Sequence, residues 1–235
     1  AKATDSAIAS IAARLMAGEP LSNFPHRGPY APEDLPGTKP LPDQMTLADY
    51  NTPWFSVKEA VLPFARFPGV DTLLGPEMRS TGEVMGWDSS FARAFLKAQM
   101  GAGHTLPSEG SVFISVKNED KTPQMIEAAQ ILTDQGFKIV ATRGTAGFLK
   151  AAGIEAETVN KVYEGRPNVV DRLRDGDINL VFNTTEGAAS IEDSREIRSN
   201  TLDGKIVYYS TAAASYAAAR AIRNIREGAL EAAPR

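Results

Sequence analysis

The pattern of apolar residues divides the chain into an irregular front and a regular back. In residues 4–17, Ile8 and Leu15 belong to an apolar set at helical spacing, and Gly18 follows it, which predicts a helix that ends there. Residues 18–53 then contain eight prolines, with glycine, asparagine and aspartate between them. This composition is typical of a long irregular insertion.

Residues 55–64 predict a β-strand, because apolar side chains alternate along them with a period of two. Glu59 falls on the apolar face of this strand. Two interpretations stay open. Glu59 is either an edge-strand carboxylate paired with Arg66 or Arg79, since a buried charge needs a partner, or an inward carboxylate that awaits a cationic ligand.

A second helix is predicted from Asp88, as its N-cap, to Gly101. The next residues, 101–110, are polar and contain glycine, and we place a domain boundary in this linker. Residues 1–100 are therefore expected to form one region and residues 111–226 another.

From residue 111 onward, short apolar segments alternate with amphipathic ones. Strands are predicted at 112–116, 137–141, 155–159, 178–183 and 205–209, and helices at 123–135, 145–152, 169–174, 190–202 and 211–226. This alternation predicts an α/β fold with a Rossmann-type parallel sheet flanked by helices. The tail, residues 227–235, is expected to fray.

Composition narrows the classes of function. The net charge is −4, which argues against a surface built mainly for nucleic acid or anionic lipid. There is no cysteine, and His26 and His104 are the two histidines, so disulfides, a catalytic triad and a metal site are not expected. The lack of cysteine suits the cytoplasm. No segment approaches the ~20 apolar residues of a membrane span.

Small polar and basic residues follow the predicted strands, where open α/β sheets bind their ligands. They lie in the segments 115–121, 142–145, 160–161 and 183–187. Hydroxyl groups, lysines and helix N-termini together favour a phosphate pocket. The alternative is that these residues only cap helices and form turns. No Walker-type phosphate loop is present.

Two groups of motifs resemble one enzyme family. Residues 57–86, VKEAVLPFARFPGVDTLLGPEMRSTGEVMG, resemble the end of the second ATP-grasp unit of the carbamoyl phosphate synthetase large subunit. The segments SVKNEDK, ATRGTAGFLKAAGI, VNKVYEGRP, FNTTEG and IEDSREIRS resemble its C-terminal allosteric domain, of the methylglyoxal-synthase-like fold. The resemblance implies that residues 1–100 are a remnant of the ATP-grasp unit, with the proline-rich stretch as an insertion.

The same resemblance implies a regulatory role. The family's domain binds nucleotide monophosphates, with UMP as inhibitor and IMP as activator. Carried over by motif, the binding residues are Ser115, Lys121, Thr142, Thr145, Lys161, Asn183, Thr184 and Thr185, and Asp193 completes the pocket. Lys121 and residues 142–145 would hold the phosphate, while residues 183–185 would contact ribose or phosphate. The family's arginines after this turn are replaced by Ala188 and Ala189.

An ornithine site is also implied by the resemblance. Glu59 would bind the amine of ornithine, with Tyr208 and Ser210 near its carboxylate and the Leu74 backbone nearby. Ser210 replaces the threonine of the family. The further acidic partners would lie upstream of residue 1, so weak ornithine binding is expected.

Further expectations concern the parent enzyme. It would be a glutamine-hydrolysing ligase of arginine and pyrimidine biosynthesis that uses ATP with Mg²⁺ or Mn²⁺ and K⁺, and works with a small glutaminase subunit. This chain would be a C-terminal fragment without catalysis or cofactors of its own, which would explain its start at Ala1. Homo-oligomer formation stays open.

Two alternatives remain. In the first, the chain would be a free-standing methylglyoxal synthase. The matching loop lacks that family's catalytic motif, and Asp171 is the nearest carboxylate. In the second, residues 1–100 would mainly complete a larger domain and mediate contacts between subunits. This alternative is compatible with the regulatory role.

Overall fold

A computed structural model describes residues 7–20, 23–24, 55–61, 82–185 and 194–226 of the chain. The predicted features outside these ranges are most of the insertion, the tail 227–235, Arg66, Leu74, Arg79, Ala188, Ala189 and Asp193. The chain divides into two compact units, one of residues 1–56 and 88–91, the other of residues 57–87 and 92–235.

The described helix of the first unit, α1 (Ile8–Met16), is shorter than the predicted helix and buries none of its side chains. Gly18, the predicted stop, follows two residues after the helix and has a φ of 93°, which suits glycine. Arg14 stabilises this end, since its guanidinium donates to the Glu19 carboxylate and lies 4.6 Å from the centre of the Phe24 ring.

Two strands and a helix precede the large sheet. Strands β1 (Phe55–Val61) and β2 (Gly82–Asp88) form a two-stranded sheet, and α2 spans Phe91–Gly101. The sequence did not predict β2. The predicted role of Asp88 as N-cap needs correction, because Asp88 is the last residue of β2 and its Oδ1 accepts the N–H of Ser90, 3.1 Å away, before the helix begins.

The second unit contains a five-stranded parallel sheet in the order β5-β4-β3-β6-β7. Its strands are β3 (Ser111–Ser115), β4 (Lys138–Thr142), β5 (Glu157–Val159), β6 (Leu180–Asn183) and β7 (Val207–Tyr209). The α-helices described after β3 are α3 (Pro123–Asp134), α4 (Arg143–Ala151), α5 (Val169–Arg174), α6 (Arg195–Asp203) and α7 (Ala212–Arg226). The predicted α/β fold with a helix-flanked parallel sheet is confirmed.

Hydrophobic side chains cover both faces of this sheet. Because successive strand residues point to opposite faces, Val112 and Ile114 of β3 belong to one core with α2, α3 and α7, while Phe113 belongs to a second core with α5 and α6. Leu106 lies in the first core, so the predicted linker 101–110 is inside this unit. The assignment of residues 1–100 to a separate domain stays a prediction.

Candidate functional site

A pocket of about 370 Å³ opens at the carboxyl end of the parallel sheet, where parallel α/β sheets bind their ligands. Seven of the residues predicted for nucleotide binding line it: Ser115, Lys121, Thr142, Thr145, Lys161, Asn183 and Thr184. Thr185 is half-buried and outside the lining. The fold therefore brings together, at one edge of the sheet, side chains that are up to about 70 positions apart in the sequence.

A positive end of the pocket forms where β4 passes directly into α4. Thr142 ends the strand and Arg143 begins the helix, so the first N–H groups of α4 point into this edge of the sheet. Lys121 lies above them, since a Cβ built on Gly144 would be 3.5 Å from its Nζ. An ammonium group beside a helix N-terminus favours an anion here.

The alternative interpretation, that these threonines only cap helices, does not describe Thr142, whose side chain makes no capping hydrogen bond. Its Oγ1 instead lies 3.2 Å from the Ser115 hydroxyl and donates to Thr145 Oγ1 over 3.4 Å. Thr145 Oγ1 also accepts the N–H of Val116 over 3.2 Å. These hydroxyl groups tie the ends of β3 and β4 to the start of α4.

The other side of the pocket is built on the end of β6. The N–H of Thr184 donates to the Ser115 carbonyl over 3.0 Å, and its Oγ1 accepts the N–H of Lys117 over 3.0 Å. Asn183 is buried, lines the pocket and contacts the hydroxyl of Tyr208. This side therefore presents hydroxyl and amide groups.

The start of α6 supplies lining residues that sequence reasoning missed. Ser194 and Ile197 line the pocket, but the sequence predicted a helix from residue 190, which would have placed Ser194 in its interior. The described helix begins at Arg195. The motif IEDSREIRS was the available signal, because its serine precedes the first apolar residue of the helix by three positions.

Glu59 lies in a separate polar network. Its carboxylate accepts the Nε2–H of Gln99 over 2.9 Å, and Gln99 Oε1 accepts the hydroxyl of Tyr209 over 3.1 Å. Burial raises the pKa of Glu59, opposed by the charge of His104 and the hydrogen bond from Gln99. Burial and the charge of Glu59 raise the pKa of Tyr209 far above its usual range, so its hydroxyl stays a donor.

Leu74 lies outside the described ranges, and of the other predicted ornithine residues Glu59 and Tyr208 form hydrogen bonds with different partners, Gln99 and Asn183. Tyr209, which sequence reasoning missed, joins the network of Glu59, whereas the neighbouring Tyr208 points to the opposite face of β7 and contacts Asn183. Ser210 is exposed just after β7. Gln99 was also missed, and its signal was a polar side chain four positions after Phe95 on the apolar face of the predicted helix.

Asp171, the nearest carboxylate in the alternative enzymatic hypothesis, is engaged elsewhere. It accepts the guanidinium Nε–H of Arg166 over 3.0 Å and the N–H of Asn168 over 2.9 Å. The hydrogen bond from Arg166, and then that from Asn168, lower the pKa of this carboxyl. Asp171 does not line the pocket, so it is not placed to act as a general base there.

In the described ranges, no group of three or more histidine, cysteine, aspartate or glutamate side chains is placed to hold a metal ion. Among those same residues, no helix has the length and apolar character needed to cross a membrane.

Comparison with known proteins agrees with this architecture. Residues 124–210 match the family of MGS-like domains. The carbamoyl phosphate synthase large chains of Brucella suis and Rhizobium meliloti are each 51% identical over 234 residues, 100% of this chain and 19% of theirs. That of Pseudomonas aeruginosa is 46% identical over 222 residues, 94% of this chain and 19% of its own length.

The chain thus spans about a fifth of the length of the curated relatives that it matches. The identity extends along the whole chain in the first two relatives, and the domain match covers most of the parallel sheet. Over its whole length the chain is homologous to about a fifth of the carbamoyl phosphate synthase large chain, and most of its parallel sheet belongs to an MGS-like domain.

Proposed function

We propose that this chain is the effector-binding, C-terminal region of a glutamine-hydrolysing carbamoyl phosphate synthase large chain, and that its pocket binds nucleoside monophosphates. UMP would act as inhibitor and IMP as activator at overlapping positions. The observation that carries this proposal is the Lys121 ammonium group above the N-terminus of α4, at one end of a pocket of about 370 Å³. Pockets of this size suit small ligands.

The charge of the pocket supports an anionic ligand although the whole chain is acidic. Lys121 donates to the neutral Oδ1 of Asn118 over 2.8 Å, so its charge is not neutralised by that contact. Lys117 is paired with Glu119 over 2.8 Å. Lys161 also lines the pocket, and its backbone N–H donates to the Glu164 carboxylate. A local cluster of this kind can attract phosphate despite a net charge of −4.

Regulation would follow from differential affinity. An effector that binds one conformational state of the parent more tightly shifts the equilibrium toward that state. In this proposal the chain itself carries no catalysis. ATP with Mg²⁺ or Mn²⁺, and K⁺, would act elsewhere in the parent ligase, which would receive ammonia from a small glutaminase subunit in the cytoplasm for arginine and pyrimidine biosynthesis. Ornithine binding at Glu59, Leu74, Tyr208 and Ser210, and homo-oligomer formation, stay predictions.

Isothermal titration calorimetry of the chain with UMP and IMP tests the proposal. We expect one nucleotide per chain and a loss of about tenfold or more in affinity for Lys121→Met, since a hydrogen bond to a charged group contributes about 1.5–3 kcal/mol. Lys150→Met is the matched control, because Lys150 is an exposed lysine in the last turn of α4, at the opposite end of that helix from the pocket.

Failure of the unaltered chain to bind either nucleotide would refute the effector site. Release of inorganic phosphate from dihydroxyacetone phosphate would instead support the methylglyoxal synthase alternative. We expect no release, because Asp171 is engaged by Arg166 and lies outside the pocket lining.

A further inference from the structure

Tyr208 and Asn183 form a closed pair of hydrogen bonds beside the pocket. The Tyr208 hydroxyl lies 3.1 Å from Asn183 Nδ2 and 3.2 Å from the backbone carbonyl oxygen of the same asparagine. The two residues stand on adjacent strands, β6 and β7. Asn183 is buried and lines the pocket, whereas Tyr208 lies behind it and outside the lining.

The single proton of the tyrosine hydroxyl determines which way the Asn183 amide faces. The Tyr208 hydroxyl donates that proton to the backbone carbonyl oxygen of Asn183. Toward the side-chain amide of Asn183, the tyrosine oxygen can therefore only accept a hydrogen bond. An amide offers donors on nitrogen and acceptors on oxygen. Nδ2 must therefore face Tyr208, and Oδ1 is the atom of this amide that remains for a ligand.

An amide oxygen at this position is unsuited to a phosphate but suited to a hydroxyl group. A phosphate dianion offers only acceptor oxygens, which a second acceptor would repel. Asn183 is also displaced from the positive end of the pocket, because β3 lies between β6 and β4 and adjacent strands are about 5 Å apart. With the phosphate at Lys121 and α4, the sugar of the same molecule would extend toward β6.

We propose that Tyr208 is a positioning residue of the pocket, which holds the Asn183 amide oxygen where it accepts a hydrogen bond from a sugar hydroxyl of a nucleoside monophosphate. This inference rests on the proposed function and deepens it. It assigns Asn183 to the sugar rather than to the phosphate. It also makes the pocket selective for ribonucleotides over nucleotides that lack both sugar hydroxyl groups.

The test compares UMP, 2′,3′-dideoxyuridine monophosphate and inorganic phosphate as ligands in calorimetry. The unaltered chain is expected to prefer UMP to the dideoxynucleotide about threefold to tenfold, the effect of one neutral hydrogen bond. Tyr208→Phe keeps the ring and is expected to abolish this preference while leaving the affinity for phosphate unchanged. Tyr216→Phe is the control, because it removes a tyrosine hydroxyl bonded to Glu127 on a helix whose described residues do not line the pocket.

A double-mutant cycle separates positioning from a general structural role. In an Asn183→Ala background, Tyr208→Phe is expected to cause no further change in the ratio of the UMP and dideoxynucleotide affinities. An unchanged preference in Tyr208→Phe, or an equal loss for all three ligands, would overturn the inference and leave the proposed function intact. A chain that binds none of the three ligands would instead overturn the proposed function and this inference together.

Discussion

The backbone of Gly86 lies directly against the backbone of Ala94. A Cβ built on Gly86 would be 1.9 Å from the carbonyl oxygen of Ala94 and 2.5 Å from the nitrogen of Ala98. Ala94 and Ala98 are fully buried and one turn apart on α2. Strand β2 therefore approaches the helix at a distance that only glycine permits.

This contact predicts that Gly86→Ala destabilises the chain. Overpacking costs about 1–3 kcal/mol, and the obstructing atoms are backbone atoms that cannot move as a side chain can. Gly82→Ala on the same strand is the control, since nothing lies within 4 Å of the Cβ it would introduce. Urea unfolding measures both variants, and equal stabilities would contradict the close approach.

The end of α6 contains a strained backbone position. Lys205 has a φ of 53°, in the left-handed region, whereas the preceding Gly204 has a φ of −76°. That conformation costs a non-glycine residue about 1–2 kcal/mol. Glycine avoids this strain, but it loses more conformational entropy on folding, which offsets part of the gain. Lys205→Gly is therefore expected to raise the free energy of unfolding by about 0.5–1 kcal/mol.

Lys205→Ala separates this effect from loss of the lysine charge, because alanine removes the charge and keeps the Cβ. We expect no gain in stability from it in the same denaturation experiment. An equal gain from both substitutions would show that the charge, not the backbone, matters at this exposed position.

The raised pKa of Glu59 predicts a pH-dependent effect of Glu59→Gln. Burial makes the folded chain hold this proton more tightly than the unfolded chain does, so the carboxyl contributes stability below its ordinary pKa of 4.5 that is lost as the pH rises through the folded-state value. The stability of Glu59→Gln relative to that of the unaltered chain should therefore increase as the pH rises from 4 to 7. Denaturant unfolding across this range measures the difference, and a constant difference would disprove the assignment.

Thr145 is predicted to matter for folding as well as for the pocket. Its hydroxyl oxygen accepts the N–H of Val116, and the side chain is 1% exposed. Thr145→Val keeps the shape and leaves that N–H without its acceptor, which costs about 1–3 kcal/mol. Thr133→Val is the control, because that hydroxyl donates to a helical carbonyl at an exposed position. Thermal unfolding that shifts equally for both would refute this role.

The sequence predicted the regular elements after residue 111 because each strand is a short apolar run and each helix has an apolar face. It did not predict β2, whose glycines at positions 82 and 86 resemble turn residues. Only the packing of Gly86 on α2 shows why a glycine belongs in that strand.

The candidate site residues at strand ends were predictable from the sequence, because parallel strands place their carboxyl ends at one edge of the sheet. The division of Tyr208 and Tyr209 between two networks was not. The period of two shows that they face opposite sides, but their partners Asn183 and Gln99 are 25 and 110 positions away along the chain. Contacts at such distances depend on the order of the strands, which the crossover helices do not reveal.

The outermost strands of the parallel sheet, β5 and β7, are three residues long each. So short an edge offers a neighbouring chain few free backbone groups, which is how natural sheets avoid edge-to-edge aggregation. The sheet is therefore protected against uncontrolled growth by strand addition. We therefore expect assembly at this sheet to depend on side chains of the helices and loops around it rather than on pairing of edge strands.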